Sequence, residues 1–355
     1  MPSNKVLVIG GGPGGIEAAR CVADLGVDVV LVEKHGKLGG TPIQANYAAL
    51  THDFADAEDV LGKMIAGVEG CPQTSFRLGQ EVTACEGSAG GFSVTLVGSE
   101  NGSGEKIDVG SIIVATGFDH FDPGRETQMY GYYEFDDVIT FVDAEGMLKA
   151  NKFVRPSNGQ FPERVCFIQC VGSRDRRLGN EYCSKVCCGI ASKQAIEVRQ
   201  QIPTAKVFIF YIDMRMYGYW EQEIYWPAQE KHRVNFVRGI VTEILKKGGR
   251  LIVRGEDTTM GRPMEVEMDV VVLSVGIEPS KGTKAIAEIL GIKQDRFGFI
   301  EIPHGRLDTV TTSMPGIFVA GAAAGPKDLD DTISMAGAAA AKAAALVRRG
   351  MGVGV

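Results

Sequence analysis

Four of the eight cysteines fall in one short stretch, Cys170-x12-Cys183-x3-Cys187-Cys188. Thiolates at such a spacing can converge on one metal centre, and soft sulfur ligands select zinc, copper(I) or an iron–sulfur cluster. The spacing matches neither the zinc-finger pattern nor the ferredoxin run. Structural zinc, uncoordinated buried thiols and an iron–sulfur cluster therefore all stay open on spacing. Cys21, Cys71, Cys85 and Cys166 fit no ligand position and read as buried apolar thiols. The five histidines (His35, His52, His120, His232, His304) form neither a metal-ligand nor a catalytic spacing.

The second chemical signal is a phosphate-binding turn in its full context. Lys5-Val6-Leu7-Val8-Ile9 reads as a buried strand that enters Gly10-Gly11-Gly12-Pro13-Gly14-Gly15 and then a helical pattern. A second strand, Val27 to Val32, ends at the acid Glu33. Strand, glycine turn, helix, strand and acid make the dinucleotide fingerprint. Gly10 permits the tight turn, Gly12 admits a pyrophosphate, Gly15 lets helix pack on strand, and Glu33 accepts from ribose hydroxyls. Lys34 and the following Gly40-Thr41 complete the first loop cluster. Ala115-Thr116-Gly117 closes another buried strand, and Gly316-Ile317-Phe318-Val319-Ala320-Gly321 precedes a helical pattern from about Asp330 to Arg349. Both resemble the later fingerprints of glutathione-reductase-like flavoproteins, so FAD is expected here rather than NAD. Gly321-Ala322 replaces the Gly-Asp usual there. Asp330 or Asp331 is the expected cap of the last helix, beside Lys327-Asp328.

The expected fold is α/β, with two Rossmann-like dinucleotide-binding domains, the second degenerate. The first takes residues 1–122 and 300–355, the second 160–280, with connectors at 123–159 and 281–299. In the second domain, the turn Cys170-Val171-Gly172-Ser173-Arg174-Asp175 stands where a second glycine fingerprint would be, and a helix is expected from near Ser184. Residues 86–105 read as hairpin turns. Trp220, Trp226 and the nearby tyrosines suggest a subunit interface.

A chain of 355 residues, 45% hydrophobic with net charge −7, suits two cored domains. It argues against nucleic acid or an anionic membrane as main partner. No apolar run reaches the roughly 18 residues of a transmembrane segment, and the first strand leaves no room for a signal peptide. A reducing, cytoplasmic location is expected.

Cys170 to Asp175, Tyr182 to Cys188, Tyr211-Ile212-Asp213-Met214-Arg215, Ala115-Thr116-Gly117-Phe118 and Ala320-Gly321 to Asp328 resemble the HdrA family of heterodisulfide reductase subunits. The resemblance implies a 4Fe–4S cluster on Cys170, Cys183, Cys187 and Cys188 beside a non-covalent FAD. It implies Lys193 as a catalytic cation near the flavin, with Lys327 and Asp328 also at the cofactor. A bare cation about 4 Å from a reduced flavin is worth roughly 4 kcal/mol at an effective dielectric near 20; the alternative is a solvated helix lysine. The resemblance further implies other subunits of the complex as partners and a homodimer. Lacking the extra ferredoxin-type runs of the methanogen proteins, the chain is most similar to the short HdrA-like subunits of sulfur-oxidising bacteria. Quinone-interacting oxidoreductase subunits of sulfate reducers come next, then a stand-alone NAD(P)H-dependent disulfide reductase.

Overall fold

Apolar, β-branched runs build the centre of each sheet, and the turns at their ends carry the residues singled out above. In the computed structural model, which describes residues 3–51, 53–98, 104–126 and 130–350, the chain divides into two units. One holds Met1–Gln44, Asp59–Asp119 and Glu278–Val355; the other holds Ala45–Glu58 and His120–Ile277. His52 lies outside the described residues.

The first, glycine-loop unit has a five-stranded parallel sheet in the order Ile317–Val319, Ser111–Val114, Lys5–Ile9, Asp28–Glu33, Thr74–Leu78. Apart from the exposed starts Lys5 and Asp28, four of its strands are buried on both faces as continuous apolar runs, while the edge strand Thr74–Leu78 is half-buried. The glycine helix, Pro13–Asp24, and the terminal helix, Leu329–Gly350, cover one face, where Ala336, Ala339, Ala340 and Ala343 let them approach closely. A three-stranded antiparallel sheet, Gln80–Ser88, Gly91–Gly98 and Gly104–Val109, covers the other. The expected hairpin turns of 86–105 are thus mostly strand, with 99–103 outside the described residues.

The second, cysteine unit has a seven-stranded sheet. Five parallel strands run Asn235–Lys247, Lys206–Tyr211, Arg164–Val171, Val270–Val275, Val138–Thr140, and an antiparallel pair, Arg250–Asp257 and Arg262–Met268, extends the first edge. Helices Phe141–Lys149 and Cys187–Gln201 pack on it.

Both expected connectors are instead parts of units. Val138–Thr140 is an edge strand followed by a helix with a Thr140–Asp143 capping box. Lys281–Leu290 is a helix capped by Ser280 that buries Ile286, Ala287 and Leu290 in the first core. Residues 45–58 belong to the second unit although they lie within the first stretch of sequence. No helix of the described residues is long and apolar enough to cross a membrane.

Candidate functional site

The glycine loop is shaped by close backbone approach. Gly10 has φ +111°, and a Cβ there would stand 2.3 Å from the Ala115 carbonyl oxygen. A Cβ on Gly15 would stand 1.7 Å from the Gly10 carbonyl oxygen, so helix and strand touch only because both positions are bare. Gly12 differs: its nearest neighbour would be 3.7 Å away, the Gly40 Cα. Its bareness serves no protein contact, which fits a backbone kept open for a ligand. Gly12 caps the helix without a side-chain bond and Pro13 follows, leaving the first turn and its positive dipole end for an anion.

Glu33 is buried, and its two oxygens accept from the Gly11 N–H at 2.6 Å and the His35 N–H at 2.9 Å. The carboxylate thus ties the second strand to the loop, and its remaining lone pairs are what a ribose could use. Lys34 beside it is exposed. Gly40 (φ +60°) and Thr41 open the short helix Gly40–Gln44 against Gly12. The Ala115 N–H donates to the Ile9 carbonyl, Thr116 Oγ1 lies 2.7 Å from Thr283 Oγ1, and Gly117 has φ +69°. Gly321 (φ +66°) lies against Thr332 of the terminal helix, as does Gly14. That helix is capped not by Asp330 or Asp331 but by Asp328, which accepts from the Asp331 N–H at 2.8 Å; Lys327 beside it is half-buried. The fingerprint residues therefore gather at the carboxyl ends of one parallel sheet.

In the cysteine unit a bulge does the positioning. Ile168 pairs with Leu273 and Val171 with Val275, so Gln169 and Cys170 together face Ser274. Cys170 has φ +63°, a left-handed conformation that re-aims its side chain out of the ladder. The strand runs on to Val171, further than the sequence suggests. Gly172 follows with φ +75°, where a Cβ would meet the Phe121 ring at 2.1 Å. The loop is fastened by the Arg174 N–H to Tyr182 O, Asn180 Nδ2 to Gly172 O and Tyr182 OH to Ile277 O. The Ile277 N–H donates to Ser184 Oγ.

The helix starts at Cys187 rather than near Ser184, because Lys185 turns left-handed (φ +65°) just before it. Cys187 and Cys188 thus occupy the first turn, at the positive end of the dipole. Cys187 is hydrogen-bonded to both Cys170 and Cys188 and is itself pushed up by those bonds. The bond from Cys187, with Arg174 helping, draws Cys170 down to about 7, and the same sulfur lowers Cys188. Cys183 stands farther off, raised by burial and sensed electrostatically by Cys170 and Cys188. Its sulfur accepts from the Lys185 N–H at 3.3 Å. Arg174 pairs with Asp213, and Arg215 lies 3.4 Å from the same carboxylate. Arg177 pairs with Asp175, and Arg176 is exposed.

All eight cysteines are free thiols. Among the described residues no three His, Cys, Asp or Glu side chains converge as ligands of one ion would. A 4Fe–4S cluster would bind each thiolate to a separate iron, so such a centre needs no single focus. Gln169 on the bulge, Ser173 on its loop, Ser192 on the cysteine helix and Ser274 on the strand facing the bulge bury polar atoms without a hydrogen-bond partner. Unsatisfied buried groups call for an occupant. Of the other cysteines only Cys166 is fully buried; Cys21, Cys71 and Cys85 are partly exposed, correcting the expectation for these three.

Lys193 is 1% exposed, which overturns the solvated-lysine alternative. Its Nζ lies 2.7 Å from Glu145 Oε1, donates to the Ala49 carbonyl at 2.8 Å and lies 3.4 Å from Glu197 Oε2. Glu145 also accepts from the Ala48 N–H and from Gln194 Nε2, both at 2.8 Å. The cation is thus one end of a buried dipole, and a bare-charge figure overstates its reach. Glu145 lies 48 residues away and carried no sequence signal, whereas Glu197, one turn along the same helix, could have been noticed. Trp220 packs on Gly189 in the core; Trp226, Tyr217 and Tyr219 remain exposed.

The profile of the pyridine nucleotide-disulphide oxidoreductases matches residues 4–344. The chain belongs to this family. It is an oxidoreductase with two Rossmann-like domains, the second lacking its glycine fingerprint. The resemblance to HdrA holds across nearly the whole chain. The sequence is 33% identical over 429 aligned residues to iron-sulfur HdrA subunit 2 of the CoB–CoM heterodisulfide reductase of Methanopyrus kandleri, covering 98% of this chain. It is 42% identical over 251 residues to the HdrA subunit of the H2/formate:CoB–CoM heterodisulfide,ferredoxin reductase of Methanococcus maripaludis, covering 69% of this chain. The chain spans 65% and 38% of those relatives' lengths. In fold it is similar to thioredoxin reductase of T. acidophilum (TM-score 0.65, 18% identity, 97% of this chain and 99% of that one). Thioredoxin reductase of Lactococcus lactis is similar too (TM-score 0.64, 21% identity, 98% and 100%).

Proposed function

We propose that the chain is the FAD- and 4Fe–4S-carrying electron-transfer component of a cytoplasmic heterodisulfide-reductase-like complex, working in sulfur-compound oxidation with other subunits and as a homodimer. The observation that carries this reading is the substitution of a bulged, cysteine-bearing loop for the phosphate-binding turn of the second domain. When bound, the flavin exchanges electron pairs for the single electrons that a cluster passes.

The chain's own residues divide the work. Gly10, Gly12, Pro13, Gly14 and Gly15 admit the pyrophosphate, and Glu33, with Lys34 beside it, orients the ribose. Gly40, Thr41, Ala115, Thr116, Gly117 and Gly321 line the rest of the flavin, with Lys327 and Asp328 at the start of the terminal helix. Cys170, Cys183, Cys187 and Cys188 hold the iron. Arg174 and Arg215 offset thiolate charge, and the unsatisfied hydroxyls of Ser173, Ser192 and Ser274 are donors for sulfur. Lys193 is the flavin's cation by family resemblance, tempered by Glu145.

Anaerobic purification tests this reading. One flavin and about four irons per chain, with the iron lost in Cys187→Ser and the flavin retained, are expected. One zinc per chain, or rapid bleaching by NADH without iron, refutes it. Lys193→Ala is expected to lower the flavin midpoint potential, and an unchanged titration removes Lys193 from that role.

A further inference from the structure

Lys193 has three N–H donors, and Glu145 and the Ala49 carbonyl account for two. The third side of the ammonium faces Glu197, one turn along the cysteine helix. Glu197 Oε2 is within ion-pair range at 3.4 Å, yet it makes no hydrogen bond and is shut off from solvent. Part of the same residue lines an open polar cleft with Asn151, Gln200 and Gln201. One side chain therefore borders both an open polar cleft and a buried ammonium.

Charge balance gives this arrangement its chemistry. Lys193 and an ionised Glu145 already neutralise one another at 2.7 Å. A second carboxylate would leave the buried cluster with a net negative charge in a poorly solvated place. The charged groups facing Glu197 are Lys193 on its own helix and Glu145 on Phe141–Lys149. Burial raises Glu197 and Glu145 adds to this, while Lys193 opposes both; the balance sits at about 7. The cluster thus holds one proton that it can release and retake at neutral pH.

We propose that Glu197 is the proton-loading residue of the Lys193–Glu145 pair, fed by water in the Asn151–Gln200–Gln201 cleft. A proton passes from a hydronium ion in the cleft to the Glu197 carboxylate, one O–H bond breaking as another forms and a water molecule remaining in the cleft. The carboxyl then gives its proton to Lys193 as the ammonium passes one to the Glu145 carboxylate it is bonded to; loading thus takes the cluster from one net negative charge to neutral, and release onward restores the negative charge. The final acceptor is the redox group that Lys193 serves. This last step rests on the proposed flavin role; the loading step does not.

Two measurements on the purified full-length protein separate the steps. Infrared difference spectra between pH 5 and 9 are expected to show one carboxyl C=O band titrating near neutrality. It should vanish in Glu197→Gln and shift in Glu197→Asp. Persistence of the band in Glu197→Gln overturns the loading assignment, whether or not flavin is bound. On light-driven flavin reduction, proton uptake followed with a pH dye is expected to slow by roughly 10- to 100-fold in Glu197→Gln, a typical loss for a positioned proton donor. It should also lose its dependence on pH, with partial recovery in Glu197→Asp. Gln200→Met, at the cleft mouth, should slow uptake while leaving the infrared band in place. Unaltered uptake in Glu197→Gln refutes delivery, whereas protein that never carries flavin refutes the proposed function and leaves the infrared result to decide on Glu197.

Discussion

Replacing Lys193 by methionine strands a carboxylate that water cannot reach. Glu145 is 2% exposed and would keep the Ala48 and Gln194 donors while losing its cation. Unpairing a buried ion typically costs 3–5 kcal/mol. Protonation sets a ceiling, because holding a glutamate neutral at pH 7 costs about 3.7 kcal/mol, from ~1.36 kcal/mol per pH unit above a reference near 4.3. The expected loss is therefore about 3 kcal/mol at pH 7, shrinking to about 1 kcal/mol at pH 5 as the proton becomes cheap. Both tryptophans of the sequence, Trp220 and Trp226, lie in the cysteine unit, so tryptophan fluorescence follows that unit during urea unfolding. With a slope near ~2 kcal/mol/M, the midpoint at pH 7 should fall by about 1.5 M. Lys193→Met/Glu145→Met should recover most of this, since apolar replacement of both partners is nearly neutral. A penalty under about 1 kcal/mol at pH 7, or one independent of pH, refutes the buried-dipole account.

Gly15→Ala must push the glycine helix off its strand by more than 1 Å to clear the Gly10 oxygen. At a typical overpacking cost of ~1–3 kcal/mol, flavin retention should drop by roughly 5- to 150-fold in absorbance-based binding. Gly12→Ala should leave thermal stability unchanged and still reduce flavin content. Because Glu197 is raised in the fold, its stabilisation is complete below about 4.5 and disappears as pH climbs through about 7. Urea midpoints followed by tryptophan fluorescence between pH 4.5 and 8 should therefore decline in wild type more than in Glu197→Gln, and parallel curves would rule this out.

The glycine turns were legible because their signal is local: strand, turn, helix and acid lie within Lys5 to Glu33. The cysteine quartet was legible for the same reason. The bulge that aims Cys170 was not, because it depends on register against Val270–Val275, a hundred residues on. The helix Lys281–Leu290 was missed although Ser280 announces it, since its apolar positions find their use only in a core built from distant strands. Nor did sequence order reveal that residues 45–58 leave the first unit, supplying Ala48 and Ala49 to a buried charge cluster.

Ser111 donates to the Gly316 carbonyl 205 residues away, and Ile317–Val319 then completes the edge of the first sheet. During synthesis, therefore, the amino-terminal half of that sheet emerges long before its edge strand and alanine-rich cover. The interposed cysteine unit is fully translated before its neighbour can close. The thiol loop can accordingly fold before the dinucleotide cradle closes, and a truncation ahead of Ile317 would spare that loop while leaving the cradle unfinished.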